Sequence, residues 1–378
     1  MPMTIAFDVS YIQERRTGYG RASLELLRSL LSLDQENHYA LHGWSYSLDN
    51  AEITKLAQRN VKISLTRIPG FVRRFYWNTL RTPSIEVFVK DFDLFHSPDP
   101  LLPPAGRKRT IATLHDLSYK KFPQFFERHV LRWDKSVARS VKSASAVIVP
   151  SEHTKSDLLE FFKIPEERVE VIYFPVSSMF HPGSDAKSDE AVRKKHGLQS
   201  PFALFVGTIE PRKNLTRLVK AFEMLHREKK SELRLVLVGK RGWLCDRIFE
   251  TLAVSGVRER IQYLEYVADE ELASIYRLAQ FLVYPSMYEG YGFPVLEAMA
   301  SGIPVITSNT SSLKEIGLGA AFLADPMNIE ELAQAMQRMA ETASLRMELS
   351  QRGIEQVKKF SSQTAAAKVL RLYHSLVP

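Results

Sequence analysis

The chain of 378 residues is long for one hydrophobic core, so two domains are the first expectation. Hydrophobic residues make up 45% of it and charged residues 25%, as in ordinary globular proteins, and the single cysteine, Cys245, excludes an internal disulfide. The formal net charge of +8 fits a phosphorylated small molecule, an anionic membrane surface or a solvated basic surface, and the lack of a recognised nucleic-acid-binding motif predicts no nucleic-acid partner.

The chain enters a strand pattern at once, with MTIAFDVS at residues 3–10. No basic, apolar and small-residue leader precedes it, and no apolar run approaches the roughly 20 residues that span a bilayer. Together with the single cysteine, these features predict a cytoplasmic protein. Contact with the inner face of the plasma membrane stays open.

Short apolar runs then alternate with helical periods such as residues 23–33 and 215–229. This alternation predicts a doubly wound α/β architecture with buried parallel strands. The predicted strands are TIAFDV (4–9), TIATLH (110–115), AVIVP (146–150), VEVIY (169–173), FALFVG (202–207), LRLVLVG (233–239), IQYLEY (261–266), FLVYP (281–285) and IPVIT (303–307).

A polar stretch with Gly, Pro and many charges, residues 180–201, separates two halves of similar size. It predicts a linker over residues 181–200, between an N-terminal domain of residues 1–180 and a C-terminal domain of residues 201–360. We expect two doubly wound α/β domains with a cleft between them. Because ligands of open α/β sheets bind at the carboxyl ends of the strands, the loops there are the candidate sites.

The first such loop is TGYGR, residues 17–21, between the first strand and a helix. Gly18 and Gly20 would let the backbone approach a ligand, and the helix N-terminus favours a phosphate or sugar oxygen. A structural turn explains the glycines equally well. The next loop, TLHDLS, ends a strand at His115 and Asp116, where the imidazole could bond a sugar hydroxyl or serve the structure alone.

The third loop is GTIEPRKNL, residues 207–215. Gly207 permits a tight turn, and Arg212 and Lys213 put two cations beside the following helix. Paired cations and helix N–H groups would neutralise a pyrophosphate as it leaves. A solvated basic loop is the alternative.

The fourth loop lies in MYEGYGFPVLEAMASGIPVITSN, residues 287–309. Glu289 falls in the turn, Pro294 suits the first helical position, Glu297 is expected in the first helical turn, and Gly302 would end the helix. Backbone N–H groups of such a turn suit phosphate or sugar, and each carboxylate can accept from a vicinal diol. A nucleotide sugar has that layout, with a polyol at each end of a phosphate bridge.

These residues carry a resemblance to the retaining glycosyltransferases of family 4, which have the GT-B fold of two Rossmann-like domains facing each other across a cleft. The similar stretches are GTIEPRKNL, EGYGFPVLEAMASGIPVITSN and TLHDLSYKKFPQFF, and the likeness runs over nearly the whole chain. Its most specific element is the Glu-x7-Glu pair. The resemblance also implies that a C-terminal helix, about 361–378, completes the N-terminal domain.

The resemblance implies a role for each matching residue. Glu289 would contact the donor hexose, Glu297 the ribose diol, and His115 the donor sugar. Arg212 and Lys213 would hold the pyrophosphate. Many relatives carry arginine at the position of Thr208 and glycine at that of Glu265. The resemblance implies further donor contacts for Gly207, Thr208, Val267, Gly290, Tyr291, Gly292, Phe293 and Pro294. It also implies that the loop of Gly18, Tyr19 and Gly20 lies beside the phosphates and the acceptor.

The implied reaction moves a hexose, glucose or mannose, from UDP-glucose or GDP-mannose to a saccharide or lipid-linked acceptor in surface polysaccharide synthesis, with no cofactor. A GT-B-fold epimerase, a phosphorylase and a non-catalytic nucleotide-sugar-binding protein are the alternatives. An Asp-x-Asp pair, Asp91 and Asp93, raises the question of a metal. It directly precedes an apolar run, so we expect it to begin a strand, and we expect no metal requirement.

Two stretches of the N-terminal half mix cations with aromatics, residues 70–81 and 120–135. Basic aromatic helices can lie in a membrane interface, and a lipid-linked acceptor would bring the enzyme there. A helix with its aromatic side facing the core and its cations solvated explains the pattern as well.

Overall fold

The computed structural model describes residues 2–12, 18–44, 50–66, 68, 72, 75–131, 133–183, 185–228 and 231–377. The chain divides into two compact units. The first unit comprises Met1–Leu117, Arg132–Pro175 and Phe360–Pro378, and the second comprises Ser118–Leu131 and Val176–Lys359. Residues 118–131, which the sequence placed in the N-terminal domain, therefore belong to the second unit.

Strands and helices alternate as the sequence predicts. The strands are β1 Thr4–Asp8, β2 His38–Trp44, β3 Val61–Thr66, β4 Leu94–Ser97, β5 Arg109–Thr113, β6 Ala146–Val149, β7 Val169–Val171, β8 Phe202–Val206, β9 Arg234–Val238, β10 Ile261–Leu264, β11 Phe281–Tyr284, β12 Val305–Ser308 and β13 Phe322–Ala324. The helices are α1 Gly18–Leu33, α2 Asn50–Thr54, α3 Ser118–Lys121, α4 Arg128–Leu131, α5 Asp134–Ser143, α6 Glu152–Phe162, α7 Ala186–His196, α8 Leu215–Glu228, α9 Asp246–Val254, α10 Asp269–Leu278, α11 Phe293–Ala300, α12 Ser311–Gly317, α13 Ile329–Glu341, α14 Ala343–Val357 and α15 Ser362–Leu376. Among the described helices, none combines the length and apolarity needed to cross a bilayer.

The first unit is built on a parallel sheet that has, among the described residues, seven strands in the order β3-β2-β1-β4-β5-β6-β7. Its inner strands are buried because helices cover a parallel sheet on both faces. The C-terminal helix α15 packs on α1. Tyr373 of α15 bonds His96 of β4, with 2.6 Å between the hydroxyl oxygen and Nδ1.

The second unit has a parallel sheet with, in its described part, six strands in the order β10-β9-β8-β11-β12-β13. The strand order reverses between β8 and β11, and in such sheets the ligand site lies at the carboxyl ends of the strands on either side of that reversal. Both candidate loops of this unit, residues 207–215 and 285–292, follow these two strands.

The stretch predicted as a linker, residues 181–200, contains a helix in the structure. Helix α7 is capped by Asp185, whose carboxylate accepts from the Ser188 N–H at 3.2 Å, and it ends at Gly197 in the left-handed region. It packs on α10 through the ion pair of Asp189 and Arg277, with 2.6 Å between Oδ1 and Nη2. Charge in this stretch therefore serves packing as well as solvation.

Candidate active site

The loop after β11 leads directly into helix α11. Gly292 adopts φ +122°, and a Cβ there would lie 2.8 Å from the Leu313 side chain, so glycine is required at the helix start. Pro294 is the second helical residue, one position after the predicted one, and proline still costs no hydrogen bond there because the first turn has no intrahelical partner for its nitrogen. Gly302, at φ +76°, follows the helix as predicted. Glu297 is the fifth residue of α11 and lies in its second turn, so its predicted place in the first turn is wrong by one turn.

Glu289 is buried, with 8% of its surface exposed, and its two oxygens have different surroundings. Among the described side chains, Oε1 accepts from Lys213 Nζ at 2.6 Å, from the Ser286 hydroxyl at 2.6 Å and from the Tyr284 hydroxyl at 3.0 Å. Oε2 lies 2.9 Å from Arg212 Nη1. Three donors fill the acceptor capacity of Oε1, so a substrate hydroxyl would approach Oε2.

The electrostatics of this cluster favour ionised Glu289. Burial alone would raise the pKa of Glu289, but the charges of Arg212 and Lys213, with the hydrogen bonds from Lys213 and Ser286, outweigh it and lower the pKa to about 2. Burial lowers the pKa of Lys213, and Glu289 partly restores it. The carboxylate is therefore negative throughout the physiological pH range.

Arg212 links the two loops of the site. Its Nη1 donates to the Tyr288 carbonyl at 2.7 Å, and its Nη2 donates to Glu210 Oε1 at 2.7 Å. The backbone adds a bond, from the Met287 N–H to the Arg212 carbonyl at 2.9 Å. The two cations predicted to hold a pyrophosphate thus contact Glu289 directly. Glu210, for which the sequence predicted no role, pairs with Arg212.

Glu297 is held by a different partner. It is 4% exposed, and its Oε2 accepts from the hydroxyl of Tyr276 on α10 at 2.9 Å. Helix α10 begins at Asp269, two residues after Val267, the residue predicted to lie beside a nucleoside base. Val267 is buried. No local pattern marks Tyr276, because it comes from a helix 21 residues earlier in the chain.

The loops after β8 and β9 approach each other closely. Gly239 adopts φ +150°, and a Cβ on it would lie 1.9 Å from the Gly207 carbonyl oxygen. A Cβ on Gly242 would lie 2.7 Å from the Thr208 methyl group. Glycine is thus required beside the predicted phosphate loop because another strand end occupies the space.

The remaining donor-loop residues lie against α12. The Ser312 hydroxyl donates to the carbonyls of Glu289 and Tyr291, at 2.8 and 2.6 Å. The Tyr291 and Phe293 rings pack edge to face with their centroids 4.9 Å apart. Gly290 lies between these anchored residues, so the turn is held from both sides.

Residues 118–131 bridge two loops at the carboxyl edge of the second sheet. The Phe122 ring packs on Tyr288, in the loop after β11, at 5.9 Å between centroids. Phe126 packs on Trp243, in the loop after β9, at 5.6 Å, and Trp243 Nε1 donates to the Phe125 carbonyl at 2.5 Å. Because β8 lies between β9 and β11, this segment joins the loops on either side of the β8 loop.

In the first unit, His115 follows β5 and contacts Tyr19, with ring centroids 3.7 Å apart. Its Nε2 lies 2.9 Å from the Pro98 carbonyl, which can only accept, so Nε2 carries the proton and Nδ1 is the acceptor. Burial lowers the pKa of His115 to about 4, although the Pro98 bond and Asp116 oppose the shift. The imidazole is therefore neutral near pH 7 and could accept from a hydroxyl.

Gly18, Tyr19 and Gly20 form the first turn of α1, whereas the sequence predicted a loop there. The helix therefore begins at Gly18, ahead of the helical period at residues 23–33, and Tyr19 in its first turn contacts His115. Residues 13–17 of the preceding stretch, including Thr17, lie outside the described residues. The turn still offers helix N–H groups at the carboxyl end of β1.

The Asp-x-Asp pair begins a strand, as predicted. Asp93 Oδ2 accepts from the Thr4 N–H at 2.8 Å, and the Asp93 N–H donates to the Thr4 carbonyl at 2.8 Å, just before β4. Within the described residues no group of three His, Cys, Asp or Glu side chains has the spacing of a metal site.

Comparisons with known proteins agree with this geometry. A model described as Glycosyltransferase Family 4 matches residues 16–178, and one described as Glycosyl transferases group 1 matches residues 188–356. Over 386 residues the chain is 31% identical to O-antigen chain mannosyltransferase B of Escherichia coli, an alignment that covers 99% of this chain and 100% of that protein.

Solved structures give the same fold. Sucrose-phosphate synthase of Thermosynechococcus elongatus matches with a TM-score of 0.79 at 21% identity over 99% of both chains. Anabaena HepE, solved in complex with UDP and glucose, matches with a TM-score of 0.74 at 16% identity over 99% of this chain and 100% of that one. At these identities the likeness concerns the fold alone.

Two Rossmann-like parallel sheets and the solved structures that match them define the fold as GT-B. The two family models define the class as a glycosyltransferase. The family model over residues 16–178 and the mannosyltransferase relative that aligns over the full length identify the family within this class. The chain belongs to glycosyltransferase family 4.

Proposed function

We propose that the protein is a retaining hexosyltransferase that moves mannose from GDP-mannose to a saccharide or lipid-linked acceptor in surface polysaccharide synthesis. The observation that carries the proposal is the buried cluster of Glu289, Arg212 and Lys213 at the switch point of the second sheet. Mannose is favoured because the full-length relative is an O-antigen mannosyltransferase. UDP-glucose is the alternative donor.

The cluster suits a donor whose sugar and diphosphate are adjacent. Glu289 Oε2 would accept a hexose hydroxyl, while Lys213, which has three N–H groups and spends two on Glu289 and Tyr284, would donate its third to a phosphate oxygen. Glu297 would accept from the ribose diol. Such fixed charges stabilise a leaving diphosphate because they are already oriented before the reaction.

Retention would follow from attack on the same face that the diphosphate leaves. The acceptor oxygen bonds the anomeric carbon as the bond from that carbon to the phosphate oxygen breaks, and the acceptor proton passes to the departing phosphate. Glu289 is a poor nucleophile here, since its Oε1 carries three hydrogen bonds and both oxygens face cations. Catalysis is then mainly positioning and charge stabilisation.

One assay tests the proposal against its rivals. The protein is incubated with GDP-mannose, UDP-glucose and related donors, with and without an oligosaccharide acceptor, and nucleotide release and the anomeric configuration of the product are followed. We expect GDP release that depends on acceptor, with the α-configuration of the donor kept. Acceptor-independent change of the sugar would indicate an epimerase, and binding without release a sensor.

A lipid-linked acceptor would bring the first unit to a membrane. Three apolar side chains of the π-helical turn Phe75–Leu80 are exposed, namely Phe75 (53%), Tyr76 (43%) and Leu80 (50%). We propose that this turn contacts anionic bilayers, and we expect Phe75→Ser with Tyr76→Ser to reduce co-sedimentation with anionic liposomes at least threefold. The variant Tyr266→Ser, which removes an aromatic side chain that is 59% exposed in the second unit, is the control for general loss of aromatic surface. Equal binding of all variants would contradict the proposal.

A further inference from the structure

Glu210 has no substrate role in the proposed reaction, yet it is among the most deeply buried charges of the second unit. Only 1% of its surface is exposed, and its Oε1 accepts from Arg212 Nη2 at 2.7 Å. A buried carboxylate is costly unless it is paired and hydrogen-bonded. Its presence beside the site therefore needs an explanation in terms of Arg212.

The guanidinium of Arg212 divides its bonds in two directions. Nη2 faces Glu210, while Nη1 faces Glu289 Oε2 and the Tyr288 carbonyl. A planar fork fixed at one end by a carboxylate has a fixed direction at the other end. Glu210 thereby decides where Nη1 lies, and through Nη1 it fixes the residue 288–289 backbone and the free side of Glu289.

The charges of the cluster balance. Glu210 and Glu289 are negative and Arg212 and Lys213 positive, so the four buried groups sum to zero before a donor binds. Without Glu210 the cluster would be positive, and a diphosphate would compete more strongly for Arg212. Glu210 thus keeps Arg212 on Glu289 and leaves the diphosphate to Lys213 and the helix N–H groups.

We propose that Glu210 is a positioning residue: through Arg212 it orients Glu289 Oε2 toward the donor hexose and withholds Arg212 from the diphosphate. The inference rests on the proposed transferase function, and it reverses the expectation that Arg212 is a pyrophosphate ligand. Arg212 becomes part of the support of Glu289, and Lys213 remains the cation for the phosphates.

The experiment compares Glu210→Gln, which keeps the shape and removes the charge, with Glu210→Asp, which keeps the charge on a side chain one methylene shorter. For Glu210→Gln we expect kcat to fall on the order of 10- to 100-fold, because misplacement by about 1 Å costs that much. The affinity for GDP should rise or stay unchanged, since the cluster gains positive charge. Glu210→Asp should recover part of kcat.

A purely structural role for Glu210 predicts another result. Loss of folding would lower kcat and GDP affinity together, and thermal denaturation would show it directly. If Glu210→Gln does not fold, the same comparison of kcat with GDP affinity is made with Glu210→Asp and Arg212→Lys. Normal kcat in a folded Glu210→Gln variant would overturn the inference while leaving the transferase function intact. Absence of donor turnover in the unaltered protein would instead overturn the proposed function.

Discussion

At the scale of single residues, two opposing effects act on Glu289. Burial disfavours its charged form, whereas Arg212 and Lys213 favour it, and the cations win because they lie 2.9 and 2.6 Å from the two oxygens. The pKa of about 2 follows from that contest. Lys213 and Glu289 each affect the pKa of the other, and Arg212 affects both, so a substitution at one of these residues changes the electrostatic environment of the others.

Replacing Glu289 with Gln should separate sugar handling from nucleotide binding. The amide keeps an acceptor for Ser286 and Tyr284 but removes the carboxylate that Arg212 and Lys213 share, which costs on the order of 3–5 kcal/mol of stability although Arg212 keeps Glu210. We expect transfer to fall at least 100-fold, while GDP binding by calorimetry persists or strengthens.

The matched control is Ser286→Ala, which removes one neutral donor to Glu289 Oε1 and should lower transfer far less. If Glu289→Gln instead lost GDP affinity and kept its transfer rate at saturating donor, Glu289 would belong to the nucleotide end of the site.

At the scale of elements, the nine strands predicted as apolar runs are all present, each within two residues of its predicted ends. Among the described strands, β2, β3 and β13 were not predicted, and β4 was expected only as the strand that follows the Asp-x-Asp pair. The edge strand β3 alternates buried and exposed residues, as VKISLT shows, and β13 has three residues. In β2 and β4, buried His42 and His96 interrupt the apolar pattern, and His96 is satisfied by Tyr373, 277 residues away. Such pairings are tertiary and leave no local signal.

In the candidate site, too, the sequence predicted the features that a local motif marks and missed those that depend on tertiary pairing. The sequence predicted the cations at 212 and 213 and the carboxylate at 289 because each is marked by a local motif. It did not predict that they pair, since 76 residues separate Lys213 from Glu289. It also treated residues 120–135 as one basic aromatic stretch, whereas Phe122 and Phe126 belong to the second unit and pack on its loops.

Trp243 should hold residues 118–131 in place. Trp243→Phe removes the indole bond to the Phe125 carbonyl but keeps an aromatic ring against Phe126, whereas Trp243→Ala removes both. One hydrogen bond is worth about 1 kcal/mol, so we expect amide exchange of residues 118–131 to accelerate roughly fivefold for Phe and more for Ala.

Leu244→Ala is the control for this measurement, because Leu244 lies in the same loop with 51% of its surface exposed. Exchange in residues 118–131 that is the same in the Trp243→Ala variant as in the control would show that the segment is held by other contacts.

At the scale of the whole molecule, acid acts on the first unit through buried histidines. Burial lowers the pKa of His42 to about 4 and of His96 to about 3, and it lowers that of His115 to about 4 against the opposing effects of Pro98 and Asp116. Neither ring nitrogen of His42 makes a hydrogen bond within the part of the chain that the structure describes. These rings are neutral in the folded unit and take up protons once it unfolds.

The sign of the pH dependence follows from these directions. A histidine whose pKa in the folded unit lies below the ordinary value near 6.5 contributes its full stability above pH 6.5. That contribution is lost as the pH falls toward the folded pKa, and the loss is roughly 1–2 kcal/mol for each histidine by pH 5.

In a Trp243→Phe background the remaining tryptophans, at 44, 77 and 133, belong to the first unit, so urea unfolding followed by their fluorescence reports on that unit. We expect its unfolding free energy to fall between pH 7 and pH 5, and to fall less with His42→Gln. The variant His38→Gln, on the same strand but exposed, should leave the slope unchanged, and a slope that both variants share with the parent would exclude His42 as a source of the acid sensitivity.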